Sequence, residues 1–141
     1  MLLNGVRVSS WMRVVVSRVA EFPATGRMIV TVGNRSIGVF RVDDRFYAVR
    51  NRCPHQGGPL CTGHVFRRAV ADEPGRVRYT DDAPLIACPW HGWEYDLATG
   101  QSFMGAGQPR VKSYDVSVVP GPYVAETFPV QVEEEYVVLD A

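Results

Sequence analysis

The stretch Asn51-Arg52-Cys53-Pro54-His55-Gln56-Gly57-Gly58-Pro59-Leu60-Cys61 interrupts a chain that otherwise alternates, and Cys88-Pro89-Trp90-His91-Gly92-Trp93 interrupts it again. Each stretch has a Cys-Pro followed by a His within three residues of the Cys, as Cys53-x-His55 and Cys88-x-x-His91. The whole chain has only three histidines and three cysteines, so two such pairs in the same order are not chance. A thiolate and a neutral imidazole from each loop make a set of two soft and two borderline metal ligands. The flanking glycines let the backbone approach a bound group closely and turn N–H groups toward it. Pro54 and Pro89 stiffen each loop directly after its Cys.

Outward from these loops the pattern is that of strands. Residues 12–19 and 27–32 alternate on either side of Pro23 and Gly26, and 36–42 and 46–50 follow across Gly33-Asn34-Arg35 and Asp43-Asp44-Arg45. Between the two loops, 65–70 and 76–80 flank Asp72-Glu73-Pro74-Gly75, which reads as a hairpin turn. Leu85-Ile86-Ala87 is a short apolar strand leading into Cys88. The last third alternates over 111–119, 123–132 and 136–139, with turns at Pro120-Gly121-Pro122 and Glu133-Glu134-Glu135. Residues 113–118 echo 127–132, as two edge strands of one sheet would. No segment has the capping residues and 3.6-residue apolar stripe of an ordinary helix. The reading is an all-β domain of antiparallel meanders.

Composition limits the function. The chain has 141 residues, against roughly 100–200 per domain, which predicts one domain with a core that needs no disulfides. With 15 basic and 15 acidic residues it is neutral, which argues against nucleic-acid binding through a basic field. An odd count of three cysteines does not fit a secreted disulfide scaffold. The aliphatic run Val14-Val15-Val16 falls far short of the roughly 20 residues of a membrane span. The first eleven residues lack the apolar stretch of a secretory signal, so a cytoplasmic location is expected, without membrane association. Met12, where the regular pattern begins, is a second candidate initiator.

The order of the ligands narrows the metal. Structural zinc sites usually pair like ligands within a loop, whereas each loop here mixes Cys and His. In a Rieske [2Fe–2S] centre two histidines replace two cysteines on one iron, and the mixed order follows if each loop serves both irons. The sequence resembles the Rieske-type [2Fe–2S] proteins, in particular standalone ferredoxins and small electron-transfer subunits of oxygenase and nitrite-reductase-like systems. The residues that carry the resemblance are Cys53-Pro-His55-Gln-Gly-Gly-Pro-Leu60 and Cys88-Pro-Trp-His91-Gly-Trp-Glu-Tyr95-Asp-Leu-Ala-Thr-Gly100, with Phe46-Tyr47-Ala48-Val49 before the first loop. The resemblance runs from about residue 14 to 100 and more loosely to 139. It implies a sandwich of small antiparallel sheets with the two loops as a cluster-binding tip. Cys53 and Cys88 would hold the inner iron, and His55 and His91 the outer, exposed one.

On this reading a single domain spans 12–139, with a cluster-binding subdomain at about 51–100, a hairpin insertion at about 67–82 and an extension at 1–11. The insertion makes the separation of His55 from Cys88 longer than in compact members of the family. The respiratory-complex members carry a disulfide between the loops, at positions matching Gly58 and Trp90, which cannot form it. They also carry a Ser where this chain has Trp93, while the Tyr two residues later is kept as Tyr95. Losing a hydroxyl donor to a cluster sulfur lowers the potential.

The remaining residues of interest read more plainly. Cys61 reads as a small buried hydrophobe and not as a ligand. His64 reads as a surface or edge-strand histidine. Trp90 and Trp93 suit either shielding of the cluster or contact with a partner. Arg67, Arg68, Arg76 and Arg78 interleave with Asp72, Glu73, Asp81 and Asp82, as on a solvated hairpin. The expected function is one-electron transfer from a reductase to a terminal oxygenase or another redox enzyme, with no activity of the chain by itself. An oxygenase would need a mononuclear iron with two further histidines, and His64 alone remains. The alternatives are a structural zinc module for protein interaction and a small subunit of a nitrite-reductase-like enzyme.

Overall fold

The computed structural model describes residues 2–3, 6–7, 12–103, 108–121 and 135–141. Strands β1 (Leu2–Leu3) and β2 (Val6–Arg7) pair with each other. The main sheet contains β3 (Arg13–Arg18), β4 (Arg27–Val32), β5 (Arg35–Val42), β6 (Arg45–Arg50), β12 (Ser113–Pro120) and β13 (Glu135–Asp140). Its order is β3-β13-β12-β6-β5-β4, antiparallel throughout. A three-stranded sheet in the order β11-β10-β7 joins β7 (His64–Phe66), β10 (Leu85–Ala87) and β11 (Glu94–Asp96). Strands β8 (Ala69–Glu73) and β9 (Arg76–Tyr79) form the hairpin expected between the loops.

Tight turns set the register of the β4-β5-β6 meander. Asp43 and Asp44, the turn between β5 and β6, both take positive φ (49° and 63°), a conformation Asp tolerates better than most residues. β5 and β6 are buried on both faces. Ile37, Val39 and Ala48 face a core completed by Phe22, Val32, Val137 and Leu139. The alternate residues Phe40 and Val49 face a second core of Leu60, Cys61, Ile86, Tyr95, Leu97 and Val111. The second core also contains Cys53 and Cys88, so the main sheet is the floor on which the two loops rest.

Several expectations need correction. The strand expected over 65–70 is two strands broken at Arg67 and Arg68. Arg67 leaves the ladder to bond the Asp43 carboxylate and the carbonyls of Thr80 and Asp82. The first strand ends at Arg18 in a 3₁₀ turn, Val19–Glu21, and a second 3₁₀ turn, Leu60–Thr62, closes the first loop. The segment 113–118 is no edge strand, because β12 lies between β13 and β6. Its echo at 127–132 and the strand expected at 123–132 lie outside the described residues.

Candidate metal centre

The two Cys-His loops have the same backbone design. In the first, the Cys53 carbonyl accepts the Gly57 N–H at 2.7 Å and the Cys53 N–H donates to the Gly58 carbonyl at 2.8 Å. In the second, the Cys88 carbonyl accepts the Gly92 N–H at 2.8 Å and the Cys88 N–H donates to the Trp93 carbonyl at 2.8 Å. Both turns thus close at four and five residues past the Cys. Gly57 and Gly92 stand at the same offset with φ of 77° and 72°, where a side chain would strain the turn. The matched glycines are legible in the sequence as a common Cys-plus-four position, a signal that the Cys-His spacing alone does not use.

This design places the side chains in two pairs. Cys53 and Cys88 are 2% and 3% exposed, with their thiols within hydrogen-bonding reach of each other. Outside them, the rings of His55 and His91 meet edge to face with centroids 5.2 Å apart. His55 is half-buried and His91 is exposed. Among the described residues no three His, Cys, Asp or Glu side chains converge closely enough to hold one metal ion. The donors instead form an inner sulfur pair and an outer imidazole pair, an arrangement that does not favour a single tetrahedral zinc.

The surroundings fit a group bridging the two pairs. Nδ1 of His55 is buried and has no hydrogen-bond partner, a costly condition that metal coordination would relieve. The amides of Trp90 and His91 point at the Cys88 sulfur and favour a thiolate there, although burial, the larger effect, pushes that thiol up. The Tyr95 hydroxyl lies 3.3 Å from the Cys53 sulfur. Burial first, then Cys53, drives its phenol upward, so it stays protonated and donates to a thiolate. A Cβ on Gly58 would stand 3.1 Å from the Cys88 sulfur and 2.8 Å from the Trp90 ring, so the chain approaches closely where only glycine fits.

The other residues singled out in the sequence fall into place around this site. The Trp90 ring covers Gly58, so the two positions of the missing disulfide do face each other, while Trp90 remains 54% exposed. Trp93 is half-buried and stacks on His55. Cys61 is fully buried, its S–H directed to the Val49 carbonyl at 3.5 Å. Burial pushes its thiol up to about 12. His64 is exposed on the edge strand β7, stacked on Phe66. Spacing did not reveal Arg27, which reaches from β4 to donate to the carbonyls of Cys61 and Gly63 at 2.8 and 2.7 Å. Nor did it reveal Asn51, whose Oδ1 accepts the Cys61 N–H at 2.8 Å. These two side chains tie the first loop to the main sheet. Among the described residues no helix is long and apolar enough to cross a membrane.

Comparison with known proteins agrees with this geometry. The family model described as the Rieske [2Fe-2S] domain matches residues 12–115. The chain is similar to a human Rieske domain-containing protein, 32% identical over 97 residues that cover 69% of this chain and 54% of that protein. It therefore spans about half the length of that relative. It is also similar to ferredoxin CarAc of Metapseudomonas resinovorans, 28% identical over 82% of this chain and 92% of that one. Among solved structures, the Sphingomonas yanoikuyae B1 ferredoxin superposes with a TM-score of 0.56 at 21% identity, covering 92% of this chain and 99% of that chain. A Mycobacterium tuberculosis protein assigned as a nitrite reductase small subunit gives 0.63 at 16% identity, covering 94% and 97%. At these identities the structural likeness concerns the fold.

Proposed function

The chain belongs to the Rieske [2Fe–2S] domain family, and from that premise we propose that it is a one-electron carrier between a reductase and a terminal oxygenase or similar redox enzyme. The cofactor is a Rieske [2Fe–2S] cluster, one per chain. It would be held by Cys53 and Cys88 on the inner iron and by His55 and His91 on the outer. The observation that carries this assignment is the pairing of donors, with two buried sulfurs behind two outward imidazoles on loops of the same backbone design. The cluster supplies a reversible one-electron couple, and the protein sets its potential, its access to solvent and its docking.

Each surrounding residue has a part in this. The amides of Trp90 and His91 and the Tyr95 hydroxyl stabilise negative charge on the sulfurs. The second core excludes water from the inner side. Exposed His91 leaves the outer edge open to a partner. The relatives named ferredoxin components of naphthalene dioxygenase systems, 24% identical to this chain, support the oxygenase route.

The experiment is reconstitution. The oxidised holoprotein should take up one electron per chain in a dithionite titration. It should then restore NADH-driven turnover when added to a Rieske oxygenase and its reductase in place of their own ferredoxin. A chain that takes up no electron reversibly would refute the carrier reading. Reversible reduction without transfer to any oxygenase would refute only the oxygenase route.

A further inference from the structure

The chain is neutral, with 15 basic and 15 acidic residues, yet its charges are sorted along the strands. Arg52 lays its guanidinium over Gly57 in the first loop, 3.3 Å from where a Cβ would stand. Arg50 and Arg52 line one cleft with Asn34, Ser36, Asn51 and Gly57. The Arg50 amide donates to the Lys112 carbonyl, and Lys112 lines a second cleft with Arg110. Lys112 and Arg35 both lie over the Tyr114 ring, at 5.9 and 5.8 Å. The five cations form one continuous band that begins three residues from His55. None of them is in an ion pair among the described residues, and no described carboxylate lines either cleft.

At the opposite end the acids are paired with cations, Asp44 with Arg41 and Asp43 with Arg67. Asp43 and Asp44 occupy the β5–β6 turn, roughly 20 Å along β6 from Arg50 at about 3.4 Å per residue. Arg67 fastens the β8–β9 hairpin to Asp43, and the hairpin's own Arg76 and Arg78 are paired with Glu73 and Asp72. Nearer the loops, the Asp96 carboxylate accepts the amides of Ala98 and Thr99, and Glu94 lies on the small sheet. Asp115 alternates to the face of β12 opposite Tyr114.

We propose that this band is the docking face for a protein redox partner whose own electron-transfer edge is ringed by carboxylates. The inference rests on the electron-carrier reading and adds the chemistry of the partner to it. Unpaired guanidinium groups beside the first loop attract carboxylates and can bind them in bidentate fashion. The unpaired band also orients the encounter, turning the loop end toward a negative surface, whereas the charges at the Asp43 end are offset by Arg41 and Arg67. The band is a rim of largely exposed side chains across the loop-side ends of β5, β6 and β12, suited to a broad surface.

The test is stopped-flow oxidation of the reduced holoprotein by two protein acceptors, cytochrome b5 with an acidic haem edge and cytochrome c with a basic one. With cytochrome b5 the rate constant should fall about tenfold on going from low salt to about 0.3 M, and about tenfold in R50E/K112E at low salt. With cytochrome c the charge reversal should raise the rate. R76E, on the remote hairpin, should change neither. If the double reversal fails to hold a cluster, R50Q and K112Q should each show about a third of the wild-type rate with cytochrome b5. Neutral benzoquinone separates the two readings. Failure of benzoquinone and both cytochromes to oxidise the protein would end the carrier reading itself. Oxidation of wild type and variant alike by benzoquinone, with salt-independent rates for both cytochromes, would overturn the docking proposal alone. So would capture of a fluorescent oligonucleotide by the band without any charge effect on the cytochrome rates.

Discussion

The indole of Trp93 lies face to face on the imidazole of His55, with ring centroids 4.0 Å apart and planes 13° from parallel. Through its carbonyl the same residue closes the turn that begins at Cys88. One side chain of the second loop thus covers the histidine of the first, and the loops hold each other in place.

Replacing Trp93 with Ala should therefore uncover the His55 side of the site. With two thiolates the oxidised cluster is neutral and the reduced one carries one negative charge, so water favours the reduced form. W93A should have a higher potential and lose its visible absorbance faster in air, while W93F keeps most of the cover. Voltammetry and bleaching rates check both. A potential unchanged in W93A would mean that the ring does not shield the outer iron.

Tyr95 acts on the inner side. Its hydroxyl donates to the Cys53 sulfur, and such a bond is stronger when the cluster is reduced and electron-rich. Y95F should lower the potential by roughly 60 mV, the one-electron equivalent of a tenfold change in relative stability. With Tyr95 kept but neither a Ser at position 93 nor a disulfide, the wild type should lie near the low end of the roughly −150 to +300 mV Rieske range. A higher potential in Y95F would reverse the assigned direction of that bond.

The candidate donors are legible because they are rare residue types in fixed local patterns. Cys53, His55, Cys88 and His91 stand out by Cys-His spacing together with the Pro that follows each Cys, which Cys61-x-x-His64 lacks, and β4, β5 and β6 by alternation. Arg27 could not, since it bonds the Cys61 carbonyl across 34 residues of sequence and its type is common on any exposed strand. The break at Arg67 and Arg68 was hidden for the same reason, because its cause is the distant Asp43. Periodicity reports burial on one element, and it cannot show that β12 lies between β6 and β13.

Cys61 gives a prediction with a pH sign. Its thiol is held near 12 in the fold by burial, against 9.0 when unfolded, so the native state keeps the proton more tightly. That contribution is complete below about pH 9 and is lost progressively as pH rises toward 12. The stability advantage of wild type over C61A should accordingly shrink above pH 9 in urea titrations of the holoprotein. C61S should retain the cluster spectrum, and native Cys61 should resist iodoacetamide at pH 8. Cluster loss in C61S alone among the three cysteines would reverse its assignment to packing.

Gly58 tests the close approach of the loops. The Cβ of G58A would stand 2.8 Å from the Trp90 ring and 3.1 Å from the Cys88 sulfur, in a place without free volume. Overpacking of this kind costs about 1–3 kcal/mol. The expected result is a lower unfolding midpoint and fewer irons per chain after purification. The double variant G58A/W90A should recover part of the loss, and equal loading of G58A and wild type would show that the loops have room.

Mössbauer spectroscopy of the iron-57-enriched, oxidised protein tests the central claim most directly. With Cys53 and Cys88 on one iron and His55 and His91 on the other, there should be two irons and two labile sulfides per chain. The spectrum should resolve two equally populated iron sites, one with four sulfur ligands and one with two sulfurs and two nitrogens. A single iron environment, or one zinc per chain without visible absorbance, would contradict the assignment.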